Sequence, residues 1–164
     1  MCGRFTLSTA ADVLQQLFEI DAGPLPALGA RYNIAPSQPV AMVRAAAGGA
    51  GREMVLARWG LIPSWAKDPE IGNRLINARV ETAAEKPAFR AAFAGRRCLL
   101  PADGFYEWSS AGGVKQPYLF RQRSGEPFGM AGLWERWLAP EGQEIETCTI
   151  LTTAANQIVA PVHP

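Results

Sequence analysis

The sequence is poor in the residues from which most metal and redox sites are made. It has one histidine and three cysteines in 164 residues. Cys98, Cys148 and His163 lack the close-pair spacing of a zinc site, so metal binding is not expected. An odd number of cysteines without close pairs also argues against a disulfide framework. No apolar run approaches the ~20 residues that a membrane span needs. A basic segment followed by an apolar stretch is missing at the start, so no secretory leader is read and the expected compartment is the cytoplasm. Gly48-Gly49-Ala50-Gly51 lacks the Lys-Ser/Thr and the following helix of a phosphate-binding loop, and no cofactor is expected. Internal repeats and low-complexity tails are absent. The net charge is +1, so any anion site must come from local clustering of arginines rather than from overall charge.

With 48% hydrophobic and 19% charged residues, the chain fits a single domain over residues 1–164 with a sizeable core. Its 16 glycines and 13 prolines favour turns over long helices. Thr9 fits the N-cap of an amphipathic helix over 10–20, with Asp12 three residues on and Val13, Leu14, Leu17 and Phe18 at helical spacing. Residues 21–30 read as loop, and Pro36 biases 31–36 toward extended chain. Residues 39–44 and 53–59 predict a hairpin. The stretch to Arg74 is irregular, and 82–93 is weakly helical with a break near Pro87. Strands follow at 97–100, 104–109, 116–123, 128–137 and 144–152, with a hairpin tip at 110–113, and Thr153 opens a helix over 153–159. Seven or eight strands at hairpin spacing predict an α+β fold, a mostly antiparallel, barrel-like curled sheet with a few short flanking helices.

The chemistry starts at Met1-Cys2-Gly3-Arg4-Phe5. Methionine before a small residue is usually trimmed, which leaves Cys2 with a free amine beside its thiol. Reference pKa values of about 7.7–8.0 and about 8.5 give both groups a nucleophilic fraction near neutral pH. Such an aminothiol captures an aldehyde as an imine and closes it to a thiazolidine. It serves equally as an acyl-transfer nucleophile with its own amine as base, and a cysteine at position 2 also occurs with no role at all.

Glu107 alternates with apolar neighbours in Gly104-Phe105-Tyr106-Glu107-Trp108. If it shares a face with Phe105, desolvation beside the ring suits the carboxylate to acid–base work. The alternative is a charge on the solvent face of an edge strand. His163 is a natural proton shuttle or a structural histidine. Asn77, in Leu75-Ile76-Asn77-Ala78-Arg79, is able to orient a hydroxyl or carbonyl, or is an ordinary turn residue. Arg4 and Arg79 are the nearest cations to the Cys2 and Asn77 motifs. Trp65 and Trp108 lie on irregular or edge segments, where an indole can present its face; aromatics beside arginines stack single-stranded bases. Trp134, Trp137, Cys98 and Cys148 read as core.

Five stretches in one order make the chain resemble the SRAP family, the SOS response-associated peptidases, along its whole length. They are Met-Cys-Gly-Arg-Phe at 1–5, Arg-Tyr-Asn-Ile-Ala-Pro at 31–36, Trp-Gly-Leu-Ile-Pro-Ser-Trp-Ala at 59–66, Asn-Ala-Arg-Val-Glu-Thr at 77–82 and Arg-Cys-Leu-Leu-Pro-Ala-Asp-Gly-Phe-Tyr-Glu-Trp at 97–108. The resemblance implies a mixed α/β domain on a barrel-like sheet. It also implies a DNA-damage role: recognition of abasic sites in single-stranded DNA and a covalent thiazolidine cross-link through Cys2. Within it Glu107 matches the acid–base glutamate, Asn77 the residue that positions the sugar, and His163 the residue of proton transfer and link reversal. Arg4 and Arg79 match phosphate contacts, and Trp65 and Trp108 lie in motifs that shape the DNA groove. Peptidase and lyase-type activities belong to the same picture.

Three functions stay in play from the sequence. The first is the abasic-site cross-linker, expected to be monomeric, with abasic single-stranded DNA as its partner and a nucleoid association when bound to damage. The second is an N-terminal-cysteine peptidase or amidohydrolase, which also needs an oxyanion hole. The third is a non-catalytic nucleic-acid module. Family members continue past the histidine with an Arg-Met-Pro type segment, whereas this sequence ends Val162-His163-Pro164. The expectation is therefore a chain truncated at its C-terminus.

Overall fold

The computed structural model describes residues 2–110 and 113–163. In chain order these form β1 (Arg4–Leu7), α1 (Ala11–Leu17), β2 (Arg31–Ile34), β3 (Pro39–Ala45), β4 (Arg52–Trp59), a 3-10 turn (Pro69–Arg74), β5 (Asn77–Arg79), α2 (Val80–Ala83), α3 (Arg90–Gly95), β6 (Arg97–Ala102), β7 (Gly104–Ser109), β8 (Gln116–Arg121), β9 (Phe128–Leu138) and β10 (Glu144–Thr152). The fold is α+β and mostly antiparallel, as the strand pattern predicts. The expected hairpin tip at 110–113 includes Ala111 and Gly112, and the expected trimming concerns Met1; all three lie outside the described residues.

Strands β4, β3, β6, β9 and β10 form one sheet in that order, and β10 closes it by pairing back onto β4. The closing pair is parallel, with Thr147 opposite Arg58 and Cys148 opposite Trp59. Apolar residues on both faces of β3 explain its central place, since Val40, Ala41, Met42 and Val43 are all buried. Inside the barrel the packing leaves no room at Gly132, where an added Cβ would meet Leu100 Cδ1 at 2.3 Å and the Thr149 carbonyl at 2.8 Å. A second, four-stranded antiparallel sheet, β2-β1-β7-β8, lies against the barrel. Phe5 from β1 meets Trp59 from β4 edge to face at 5.2 Å, within one continuous core.

At Gly60 the chain leaves the barrel. Gly60 has φ +131, and a Cβ there would strike the Gly72 carbonyl at 2.6 Å, so only glycine fits the bend. Beyond it β10 exchanges partners. Its Ile150, Leu151 and Thr152 run parallel to Asn77, Ala78 and Arg79 of β5. The three-residue β5 was not expected from the sequence, because it is too short for a period to show.

Two helix expectations are corrected, at 10–20 and 153–159, while the break expected near Pro87 is present. Helix α1 is shorter than 10–20, and Thr9 does not cap it. The Thr9 hydroxyl donates instead to Asp103 Oδ1 at 2.6 Å. Leu14 and Phe18 are buried, but Val13 and Leu17 are about half exposed. The 82–93 stretch splits into α2 and α3. No helix follows Thr153; that segment forms turns in which Asn156 Oδ1 accepts from the N–H groups of Ile158 and Val159. Among the described residues no helix is long and apolar enough to cross a membrane.

Candidate functional site

Cys2 enters the fold just before β1 and is buried. Its carbonyl accepts from Asn77 Nδ2 at 2.8 Å, joining the start of the chain to β5. The Cys2 thiol points to the Arg4 carbonyl at 3.7 Å. Because β1 pairs with β7, with Arg4 opposite Tyr106, the buried carboxylate of Glu107 comes close enough to Cys2 to act on its ionisation. Alternation along β7 puts Phe105 and Glu107 on one face, lining a cavity of about 750 Å³ with Cys2. Strand β7 is an interior strand, flanked by β1 and β8, so Glu107 is not a solvent-facing charge on an edge.

Arg79, at the end of β5, lines the same cavity. Its Nε lies 3.2 Å from Glu81 Oε2. The far wall is the end of β10 and the chain that follows it, including Thr152, Asn156 and His163. The backbone N–H of His163 donates to the Val159 carbonyl at 3.0 Å. A second cavity of about 400 Å³ shares Glu107 and His163 and adds Trp108, Ser110 and Lys115. Cys2, Glu107, His163 and Arg79 are thus brought together, with Asn77 held against Cys2 from behind. Asn77 Oδ1 is buried and has no hydrogen-bond partner among the described residues.

The other sequence candidates sit apart from the main cavity. Arg4 donates from Nη1 to Asn33 Oδ1 at 2.8 Å. Trp108 is on the opposite face of β7 from Phe105, its ring 6.2 Å from that of Tyr106. Trp65 is 60% exposed. Its neighbour Ala66 accepts from Trp137 Nε1 at 2.7 Å, near the Glu144 end of β10. The cavity is at the Thr152 end, about 20 Å along the strand. Trp137 is buried in the core, and Trp134 is partly buried beneath the Arg44 guanidinium at 4.2 Å. Thr152, Asn156 and Glu81 were missed by the sequence reading. The one signal for Asn156 was its turn chemistry, since asparagine often caps a turn with its side-chain oxygen.

The thiol electrostatics differ from the solvated reference values. Burial, followed by the nearby Glu107 charge, pushes the Cys2 thiol up to about 12, so it holds almost no thiolate near neutral pH. Cys98 is likewise pushed up to about 12 by burial, and Cys148 rises well above the ordinary thiol range. All three are free thiols. Among the described residues no cluster of His, Cys, Asp or Glu is arranged to hold a metal ion.

Comparison with known proteins adds a family. The sequence matches the SOS response associated peptidase (SRAP) family over residues 1–164. It is 43% identical over 165 residues to the abasic site processing protein YoqW of Bacillus subtilis (strain 168), covering 99% of this chain and 73% of that one. It is 36% identical over 173 residues to the abasic site processing protein YedK of Escherichia coli (strain K12), covering 99% and 72%. To the abasic site processing protein HMCES of Gallus gallus it is 34% identical over 161 residues, covering 80% and 48%. A crystal structure of a Bacteroides thetaiotaomicron protein superposes with a TM-score of 0.88 at 28% identity, over 98% of this chain and 72% of that one. The sequence motifs, the barrel and these matches agree: the chain belongs to the SOS response associated peptidase family.

Proposed function

We propose that this chain processes abasic sites in single-stranded DNA by forming a thiazolidine link through Cys2. The observation that carries the reading is the gathering of Cys2, Glu107 and His163 around one cavity, with Asn77 anchoring the Cys2 carbonyl. The relatives' names, abasic site processing proteins, point the same way. Removal of Met1 frees the Cys2 amine. The amine attacks the aldehyde carbon of the ring-opened deoxyribose, and loss of one water gives the imine. The sulfur then adds to the imine carbon, and its proton ends on the ring nitrogen.

The raised thiol pKa orders these steps. A thiol near 12 does not lead as a free thiolate, so the amine attacks first. The sulfur follows as a base takes its proton, and Glu107 is the carboxylate beside it. His163 moves protons to and from the sugar, and Asn77 Oδ1 accepts a substrate hydroxyl. Arg79 holds a phosphate at the cavity mouth, while Arg4, Trp65 and Trp108 contact DNA beyond the cavity.

Incubation with single-stranded DNA carrying an abasic site, followed by a denaturing gel, tests this. A heat-stable shifted band that disappears in Cys2→Ala is expected. No such band, or an equal band from Cys2→Ala, refutes the reading.

A further inference from the structure

We infer that Glu81 is an internal counter-anion that holds Arg79 at the cavity mouth until a DNA phosphate takes its place; this rests on the single-stranded DNA reading above. The two carboxylate oxygens of Glu81 are divided between the two walls of the cavity. Oε2 lies 3.2 Å from Arg79 Nε, and Oε1 accepts from the Thr153 hydroxyl at 2.9 Å. Arg79 and Thr153 both line the cavity, and Arg79 sits opposite Thr152 across the β5–β10 pair.

The geometry suits exchange. The Arg79 and Glu81 side chains are 52% and 45% exposed. An ion pair so open to water is weak, and a phosphate offers the guanidinium two oxygens in matching geometry. Glu81 has a second anchor besides Arg79, the Thr153 hydroxyl 2.9 Å from its Oε1. Its carboxyl is held below the ordinary range first by its own backbone N–H and then by the Thr153 hydroxyl, with Arg79 contributing less. When Arg79 turns to a phosphate, the carboxylate therefore remains as a fixed negative charge beside it.

That charge opposes casual phosphate contacts. Undamaged DNA, held by non-covalent contacts alone, pays the repulsion in full. An abasic strand offsets it by bonding to Cys2. Glu81 is thus a positioning residue that favours lesion-bearing DNA over intact single strands.

Glu81→Gln isolates this role, because glutamine keeps an oxygen for Thr153 while losing the charge. Binding of an undamaged oligothymidylate is measured by fluorescence anisotropy over a range of salt, for wild type, E81Q, R79A and the double variant. E81Q is expected to bind roughly three- to fivefold more tightly at low salt. Its plot of log affinity against log salt should steepen by up to about 0.7, the contribution of one single-strand phosphate contact. Both gains should vanish in the R79A background. An equal gain without Arg79, or no gain in E81Q, overturns the proposal while normal wild-type binding leaves the DNA reading standing. A wild type that neither binds nor links single-stranded DNA overturns both.

Discussion

Asn77 Nδ2 donates to the Cys2 carbonyl across 2.8 Å, and this one bond spans 75 residues of sequence to fix the start of the chain against β5. The other side-chain atom, Oδ1, is buried without a partner among the described residues. A buried acceptor left unmade costs free energy, and on the proposed reading a substrate hydroxyl completes the bond that the protein leaves open.

Asn77→Ala removes the bond to Cys2 and the open acceptor. Cross-linking in a single turnover should slow at least tenfold, and stability should fall by about 1 kcal/mol. Quenched time points on denaturing gels and urea melts measure the two effects. An unchanged rate together with the stability loss would make Asn77 purely structural.

Glu107→Gln keeps the shape of a buried side chain on β7 and removes the carboxylate proposed as the base. Link formation should slow about a hundredfold, within the range of general acid–base catalysis. Affinity for undamaged single strands should stay within about twofold, since uniform binding is not the role assigned. A parallel loss of affinity and rate would show that Glu107 acts on binding instead.

The buried thiols make stability fall at high pH. Folding raises Cys2 and Cys98 from 9.0 to about 12 and also raises Cys148 well above 9.0. The stability held in the neutral thiols is complete below about pH 9, where the unfolded thiols are also protonated. It is lost as pH rises from there through the folded values. Urea midpoints measured from pH 8 to 11 should fall, and the fall should be shallower in Cys98→Ala. At pH 8 the native Cys2 thiol should alkylate on the order of 10³-fold more slowly than in urea. Equal alkylation rates would contradict the burial.

Asp103 predicts the opposite limb. Its Oδ2 accepts from Ser8 N at 2.5 Å and Ser8 Oγ at 2.7 Å, and its Oδ1 from Thr9 Oγ1 at 2.6 Å. Partial burial works against ionisation, but the Thr9 and Ser8 bonds prevail and hold the carboxyl below its usual 3.8. Its contribution is present above that value and lost as pH falls through the folded one. Asp103→Asn should cost about 2 kcal/mol at pH 7 and flatten the acid side of a stability profile. A mutant curve parallel to wild type would refute the assignment.

Much of this was legible where local rules act. The hairpin of β3 and β4 and the full extent of β10 follow from strand patterning, and alternation offered Phe105 and Glu107 as sharing a face, which the fold realises around one cavity. What stayed hidden depends on partners distant in sequence. Thr9 and Thr153 both look like helix caps, yet their hydroxyls bond to Asp103 and Glu81, which only the folded chain brings near. The depth of Cys2 is equally non-local, since its reference pKa describes a solvated thiol, whereas the folded chain packs it into the main hydrophobic cluster and bonds it to Asn77. Trp65 shows the converse: its motif is recognisable, but only the direction of β10 reveals how far it lies from the cavity.

The account stands on amine and sulfur of Cys2 being used together. Intact mass spectrometry of the adduct with abasic single-stranded DNA tests that most directly, with and without borohydride. The predicted adduct lacks Met1, weighs the sum of protein and DNA minus one water, and survives heating without borohydride, whereas Cys2→Ser yields a stable adduct only after borohydride traps the imine. An adduct that retains Met1, or a Cys2→Ser adduct as heat-stable as wild type without borohydride, would contradict it.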